Sequence, residues 1–453
     1  MPTTGTQAAS GTIRLAGPRV YALDILVPNG STPADEAYVL DLNGARCGLH
    51  VQKRLYGDDR VQDAVLDLLA EHGRGTIWSV SQVSSSPLQL RFDSDRVRAA
   101  AGDDAGFYSA RTAYMPVGDP FDLGAEGYAA TRAGERGIDY RQASVGWDPA
   151  EERFFVSTDA AGPVPLAEWE PGGVVWPYSY DQRNLPLPGG TPVVNPPELA
   201  AATTNKLLSA YLSDGVASLP TVALGMLTSP RGPALDAASL LGRSELLVLK
   251  PASAWRSFGV LLFPREELAA VLAEAGLLTD RAAAERSAPL LLASLLWGSG
   301  HDLLGVLQPY VQPRLRRSPV TGQLHCAVAR VTVVAEPSPE GGRIRCLDVC
   351  EVLAPEPREG RLSRSSLLLE GRVHGGVLGV RDADAEQLAR VAVEYVSTVE
   401  RAAEQELGPA GLTRREADVL VAQLQEHTDA DLLAPWAELR QEATLRELLG
   451  AHG

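Results

Sequence analysis

Lysine is almost absent from this chain. Of 41 basic residues only Lys53, Lys206 and Lys250 are lysines, and arginine supplies the rest of the positive charge. Positive charge is itself short, since the formal charge is −16 and the pI is near 5.0. A face that neutralises a phosphate backbone is therefore not expected, which excludes nucleic acid as a partner. Four cysteines, Cys47, Cys326, Cys346 and Cys350, are too few for a disulfide scaffold, and no second pair stands at zinc-site spacing. They read as buried reduced thiols. No apolar run approaches the roughly 20 residues that span a bilayer, and the opening MPTTGTQAAS lacks the basic and apolar regions of a signal peptide. A cytoplasmic chain with no membrane partner is the expectation. Its 45% hydrophobic content over 453 residues suits roughly two to four domains.

Against that scarcity, the position of Lys250 is informative. Glu245 to Phe263 reads ELLVLKPASAWRSFGVLLF: an apolar strand ending in Lys-Pro, a short loop, and a second apolar strand from Gly259. A chain that otherwise uses arginine places a compact ammonium where a buried strand stops. A point charge for phosphate is the use that fits.

Residues 1 to 11 are small and polar and are expected to be disordered. Arg19 to Val27 and Glu36 to Gly44 read as two strands folded on each other across Pro28-Asn29-Gly30-Ser31. Period-2 alternation puts Asp41 and Asn43 on one face, with Asp24 able to sit opposite on the neighbouring strand. Three oxygen-bearing side chains would then converge, as a hard cation such as Mg²⁺ requires; an ordinary hairpin with a polar rim explains the same residues. Arg46 stands close enough to meet an oxyanion at that place. A helix follows over Asp58 to Gly73, with apolar spacing at Val61, Val65, Leu68 and Leu69 and a glycine stop.

From Thr76 to about Pro192 short strand-like runs alternate with Gly-, Pro- and Asp-rich turns, which suits a smaller α/β or mainly β domain. Trp176 and Tyr178-Ser179-Tyr180 either line a pocket or pack in the core. Asn195-Pro196-Pro197-Glu198 predicts an N-cap and first turn of a helix through Lys206 to Leu212. Val216 to Gly225 reads as a strand interrupted by Pro220, and helices are expected over Pro264 to Gly276 and Asp280 to Trp297. Gly305 to Val311 reads as a buried strand carrying Gln308. Arg314, Arg316 and Arg317 form a basic island that either meets an anionic substrate or is a solvated loop. Strands from Cys326 to Ala335 and Gly341 to Ala354 make a further hairpin, with Arg330 inside an apolar run where it wants an anion or a carboxylate. His374-Gly375-Gly376 is a turn permissive for close ligand approach. Beyond Asp382 three amphipathic helical segments follow. One of them, LTRREADVL from Leu412, looks like the first helix of a response-regulator DNA-binding domain. No recognition helix follows and Glu416 to Asp431 is not basic, so DNA binding is rejected.

These features together resemble the ATP-grasp superfamily, over residues 195 to about 400 and, separately, 12 to 75. Asn205-Lys206 looks like the family's first lysine element, and Val248-Leu249-Lys250-Pro251 like its second, whose ammonium meets ATP phosphates. Gln308, Pro309, Tyr310 and Val311 look like the hinge whose backbone pairs with adenine. Arg330 looks like the phosphate-binding arginine of the following strand. The family's metal residues normally come last, but no acidic-x-Asn follows Asp348 and Glu351. What looks like that piece stands at the other end, as Asp24, then Asp41-Leu42-Asn43, then Arg46. The resemblance thus implies a circular permutation, which is cheap where old termini lie close together on a surface. Asp41 stands where the family has glutamate, and the loop 252–258 has Ser253, Arg256 and Ser257 in place of glycines to close over the phosphates.

The fold so implied is α+β: an ATP-grasp fold of two α+β subdomains clamping ATP, an additional smaller α/β domain, and a helical C-terminal tail. Its divisions fall at 12–75 for the permuted metal-binding part, 76–194 for a substrate domain, 195–400 for the ATP-grasp domain and 401–453 for the tail. The middle segment is similar in placement to the pre-ATP-grasp domain of pheganomycin-type peptide ligases. The implied reaction joins a carboxylate to an amine, of an amino acid or peptide, with ATP and Mg²⁺. Asp24, Asp41 and Asn43 would hold the metal, Lys206, Lys250 and Arg330 the phosphates, and Arg46 the transferred group. An acyl phosphate passed to a carrier-protein thiol, a phosphotransferase and a non-catalytic ATP-binding protein remain as alternatives. The tail either packs on the core or forms a homodimer contact.

Overall fold

The computed structural model of the chain describes residues 13, 15, 17–44, 57–82, 120–148, 153–158, 161–177, 190–195, 203, 206–213, 215–223, 244–251, 261–267, 305–339, 341–354, 357–358 and 377–407. Within them stand three sheets. The expectations for residues 1–11, Arg46, Cys47, Lys53, Tyr178 to Tyr180, Asn205, the loop 252–258, the helix over 280–297, the turn 374–376 and the chain beyond 407 lie outside the described residues.

The first sheet is antiparallel and grows from the N-terminal hairpin. Strand β1 (Arg19–Leu26) pairs with β2 (Tyr38–Asn43) on one side and with β13 (Leu324–Glu336) on the other. Beyond β13 lie β14 (Arg343–Leu353) and β15 (Val377–Gly379), and β12 (Leu315–Arg317) also pairs with β13. The two faces differ because side chains alternate along a strand. Tyr21, Leu23 and Ile25, with Val331 and Val333, bury against helix α4 (Asp382–Leu407), whose Leu388, Ala392, Val396 and Val399 repeat at helical spacing. On the opposite face Val20 and Val334 join helix α1 (Arg60–His72) through Val61, Val65 and Leu69. Trp176 is buried in that same cluster, so its role is packing. Each fully buried side chain of this kind stabilises the fold by about 1.5–3 kcal/mol.

Gly73 ends α1, as expected, but through steric closeness and not through a left-handed conformation. Its N–H donates to Leu69 O at 2.8 Å, and a Cβ placed there would meet Thr76 O at 2.1 Å.

The middle of the chain forms an α/β unit. Strand β3 (Thr76–Gln82) runs parallel to β4 (Asp139–Asp148) and to β7 (Val174–Pro177), with α2 (Pro120–Glu135) between β3 and β4. Strands β5 (Arg153–Thr158) and β6 (Ala161–Pro165) extend the sheet antiparallel, giving the order β6-β5-β4-β3-β7.

The third sheet has the order β10-β9-β11-β8, from β8 (Val222–Ala223), β9 (Leu246–Pro251), β10 (Leu261–Pro264) and β11 (Gly305–Pro309). The hairpin read around Lys250 is β9 and β10, paired antiparallel. Helix α3 (Lys206–Leu212) precedes β8. The helix expected from Pro264 begins differently: Pro264 closes β10, and Arg265–Glu267 is a single 3₁₀ turn.

Two further expectations change. Asn195 is not a helix cap. It is fully buried in the left-handed region at φ 52°, which asparagine tolerates, and its amide works like a peptide group beside β1. Val20 N donates to its Oδ1 at 2.8 Å, and its Nδ2 donates to Val20 O at 2.7 Å and to Gly44 O. It continues the pairing of β1 where β2 ends. Asn195→Leu leaves those backbone groups without partners and is expected to cost about 2–5 kcal/mol, read as a lowered midpoint in urea.

The basic island is neither a substrate contact nor solvated at its first two positions. Arg314 is buried, with Nε 2.6 Å from Glu351 Oε1 and Nη1 3.2 Å from Asp384 Oδ2, while Arg316 Nε is 2.8 Å from Glu351 Oε2. Only Arg317 is exposed. Glu351→Leu strands two cations beside a buried site, and a loss of about 3–5 kcal/mol is expected, measured by thermal melt.

Candidate functional site

The N-terminal hairpin and the strand that ends in Lys250 are far apart in sequence and finish beside each other. In the register of the first sheet Asp24 lies directly between Asp41 on β2 and Arg330 on β13. Directly opposed residues of antiparallel strands share a face, so these three side chains form a row on the face away from α4. Arg330 meets Asp24 as a fork, Nε to Oδ1 and Nη2 to Oδ2, both at 2.9 Å. This is the carboxylate that an arginine inside an apolar run requires. Asn43 donates through Nδ2 to Ala22 O at 3.2 Å, which turns its oxygen away from that bond.

The row continues into the lysines. Lys206, the first residue of α3, places Nζ 3.6 Å from Asp41 Oδ1. Lys250 is 8% exposed, near the end of β9. Burial, reinforced by the charge of Lys206 and opposed by that of Asp41, lowers its pKa to about 7. Two lysines and a carboxylate thus share one electrostatic neighbourhood, and the two ammonium groups repel each other with too little negative charge between them. An anion with several oxygens relieves that imbalance.

Cys350 is the cross-strand neighbour of Arg330 in this row. Its thiol is pushed well above the usual range by burial, with Asp348 and Asp24 adding to the effect. It stays protonated at neutral pH and cannot serve as a nucleophile. Cys346 is pushed up to about 12 in the same way, and Cys326 is also raised by burial, which matches the reading of buried reduced thiols.

The oxygen donors suit a hard cation: Asp24, Asp41 and the amide of Asn43, with no sulfur or imidazole beside them. Both carboxylates are already neutralised, Asp24 by Arg330 and Asp41 by Lys206, and among the described residues no group of three His, Cys, Asp or Glu side chains could hold a metal. A cation here therefore needs ligands from its own substrate or from water.

The hinge residues lie on the third sheet. Val248 faces Gln308 and Lys250 faces Val306, so Gln308 and Lys250 share a face. Gln308 is buried and donates through Nε2 to Thr221 Oγ1 at 2.7 Å. The backbone of the hinge is less free than the resemblance implies. Pro309 has no N–H, and Tyr310 N already donates to Leu246 O at 2.9 Å. Tyr310 O accepts only a long bond, 3.3 Å, from Ser244 Oγ, and Val311 N has no backbone partner among the described residues. The Tyr310 phenol is pushed up to about 12 by burial and acts as a packing group.

Arg46, Ser253, Arg256 and Ser257 fall outside the described residues, so their roles rest on the resemblance alone. Sequence reading missed Thr221 and the true role of Asn195. Neither carries a local signal, since each acts on a strand distant in sequence.

No family model matches the chain, and no curated protein matches it. Among solved structures it is similar to D-alanyl-alanine synthetase A from Vibrio cholerae O1 biovar eltor, at 15% identity over 72% of this chain and 80% of that one, with a TM-score of 0.35. The D-alanine-D-alanine ligase from Coxiella burnetii matches at 11% identity, over 72% and 78%, with a TM-score of 0.35. VanG D-Ala:D-Ser ligase from Enterococcus faecalis matches at 11% identity, over 72% and 82%, also at 0.35. Likenesses this distant carry no argument about residues, and no helix among the described residues is long and apolar enough to cross a membrane.

Proposed function

We propose that the chain is an ATP-dependent ligase of the ATP-grasp type that joins a small carboxylate to an amine, its metal-binding hairpin standing at the N-terminal end. The observation that carries this reading is the meeting of Lys250, Lys206, Asp41, Asp24 and Arg330, contributed by both sheets, at one place. A merely structural ion pair does not require a second, buried lysine beside the first. Phosphate does.

In this reading Lys250 and Lys206 receive the phosphates of ATP, and Lys250 gains a proton as it does so. Asp24, Asp41 and Asn43 hold Mg²⁺, which bridges the β- and γ-phosphates when bound. Arg330 exchanges part of its contact with Asp24 for a phosphate oxygen, and Arg46 stabilises charge on the transferred group. A carboxylate oxygen attacks the γ-phosphorus, the bond to the β-phosphate oxygen breaks, and ADP leaves. The amine then attacks the acyl carbon and phosphate departs, giving an amide. Positioning and electrostatics supply the rate, and no side-chain nucleophile takes part, consistent with the protonated state of Cys350. The loop 252–258 closes over the phosphates through Ser253, Arg256 and Ser257, and the α/β unit of residues 76–194 carries the substrate.

ADP release from Mg-ATP with pooled amino acids and small carboxylates, with and without an amine acceptor, tests the proposal. ADP formation that needs both pools is the expected result. ADP formed with the carboxylate pool alone, together with a stable phosphorylated product, would contradict it in favour of a phosphotransferase.

A further inference from the structure

The hinge carries a second layer of information, about which base the site accepts. Gln308 projects on the same face of the third sheet as Lys250, with its neighbour across β9 being Val248, two residues before Lys250. Two residues of strand are roughly 7 Å, so a group reading the base and a group holding phosphate are displaced along one surface. An amide side chain at such a place is ambiguous by itself, because it presents a donor or an acceptor depending on which way it is turned.

Thr221 removes the ambiguity. Its hydroxyl donates to Leu219 O at 2.9 Å, which commits its only proton. What Oγ1 then offers to Gln308 is a lone pair, so it can only accept, and the group it accepts from is Gln308 Nε2 at 2.7 Å. The amide nitrogen is tied to Thr221 and the amide oxygen is left to the site. Among the described residues no donor meets Gln308 Oε1. Gln308 is itself buried, so this acceptor is poorly hydrated and an unmatched partner in front of it is penalised.

We infer that Thr221 fixes the Gln308 amide so that it presents only a hydrogen-bond acceptor, which selects a nucleobase bearing an exocyclic amino group and rejects one bearing an oxo group at the same position. The inference rests on the nucleotide-binding reading above and adds to it a specificity-determining residue, Gln308, and a positioning residue, Thr221. A 6-amino purine donates to Oε1. A 6-oxo purine brings a second acceptor against it, and neither group can supply the missing proton.

ATP and ITP differ at that position, so the ratio of their dissociation constants reads the effect directly. Titrations with each nucleotide in Mg²⁺ use the full chain and four variants: Thr221→Val, Thr221→Ser, Gln308→Met and Gln308→Glu. The unaltered chain is expected to prefer ATP by about tenfold to a hundredfold, as for one matched against one opposed buried hydrogen bond. Thr221→Ser keeps the hydroxyl and Gln308→Glu keeps an acceptor, so both retain the preference. Thr221→Val frees the amide to turn, and Gln308→Met removes it, so both reduce the ratio to within about threefold, chiefly through tighter ITP binding in Thr221→Val. A merely structural role of Thr221 would weaken both nucleotides alike and leave the ratio in place. If both nucleotides bind and the ratio is the same in all five proteins, the inference is overturned while the nucleotide-binding reading stands. If neither binds the unaltered chain, both fall together.

Discussion

Lys250→Met is expected to abolish turnover and at the same time to make the protein more stable. The two effects have one cause. A buried ammonium whose nearest cation is Lys206 is costly to keep charged, and the fall of its pKa from 10.5 to about 7 measures that cost. The gap corresponds to at most about 5 kcal/mol, and structural relaxation reduces it, so a gain of about 2–5 kcal/mol is expected from the substitution at low pH. The sign follows from proton counts. The folded pKa lies below the unfolded one, so between about pH 7 and pH 10.5 the unfolded chain binds more protons and raising the pH stabilises the native chain. The penalty is complete below about pH 7 and disappears as the pH approaches 10.5. Melts of both proteins across that range check it: the stability difference shrinks steadily with rising pH. A variant less stable than the native chain by the same amount at every pH would show that Lys250 is a packing residue and not a stored charge.

Asp41→Asn is the second large effect. Asp41 is the partner of Lys206 at 3.6 Å, the cross-strand neighbour of Asp24, and the one negative charge that opposes the lowering of the Lys250 pKa. Its loss removes a proposed metal ligand and leaves two lysines with less negative charge between them. Turnover is expected to fall by about a hundredfold to a thousandfold, the cost of removing one electrostatic group from a preorganised site. The Lys250 pKa is expected to drop further below its value in the native chain. The outcome separates the ligase from a binding protein, since a scaffold would keep its partner after this change. Turnover within a few-fold of the native rate would remove Asp41 from the reaction.

Much of this arrangement is legible in the sequence because it is encoded locally. The alternation in Arg19–Leu26 and Tyr38–Asn43, and the apolar runs flanking the Lys250 loop, predict the hairpins that form. Period two places Asp41 and Asn43 on one face, and the register sets Asp24 directly opposite Asp41. The spacing of Val61, Val65, Leu68 and Leu69 predicts the buried stripe of α1. What is not legible depends on partners remote in sequence. Arg330 announces that it needs an anion, but nothing local shows that the anion is Asp24, which the resemblance implies as a metal ligand. Asn195 before Pro-Pro-Glu has the pattern of a cap, yet two backbone groups of Val20 compete for the same amide and win in the folded chain. Glu351 gathers Arg314 and Arg316 only because β12 and β14 both flank β13. Thr221 acts on Gln308 across a strand pair that comprises two residues of β8.

The most direct test of the account is whether phosphate reaches Lys250, read as a proton taken up on binding. Calorimetric titration with Mg²⁺ and a non-hydrolysable ATP analogue at about pH 8, in two buffers of different ionisation enthalpy, gives the number of protons bound with the nucleotide. Lys250 is then mostly neutral before binding and charged afterwards, so uptake approaching one proton is predicted for the native chain and none for Lys250→Met. Tight binding with no proton uptake, unchanged by Lys250→Met, would place the nucleotide elsewhere and contradict the site proposed for it.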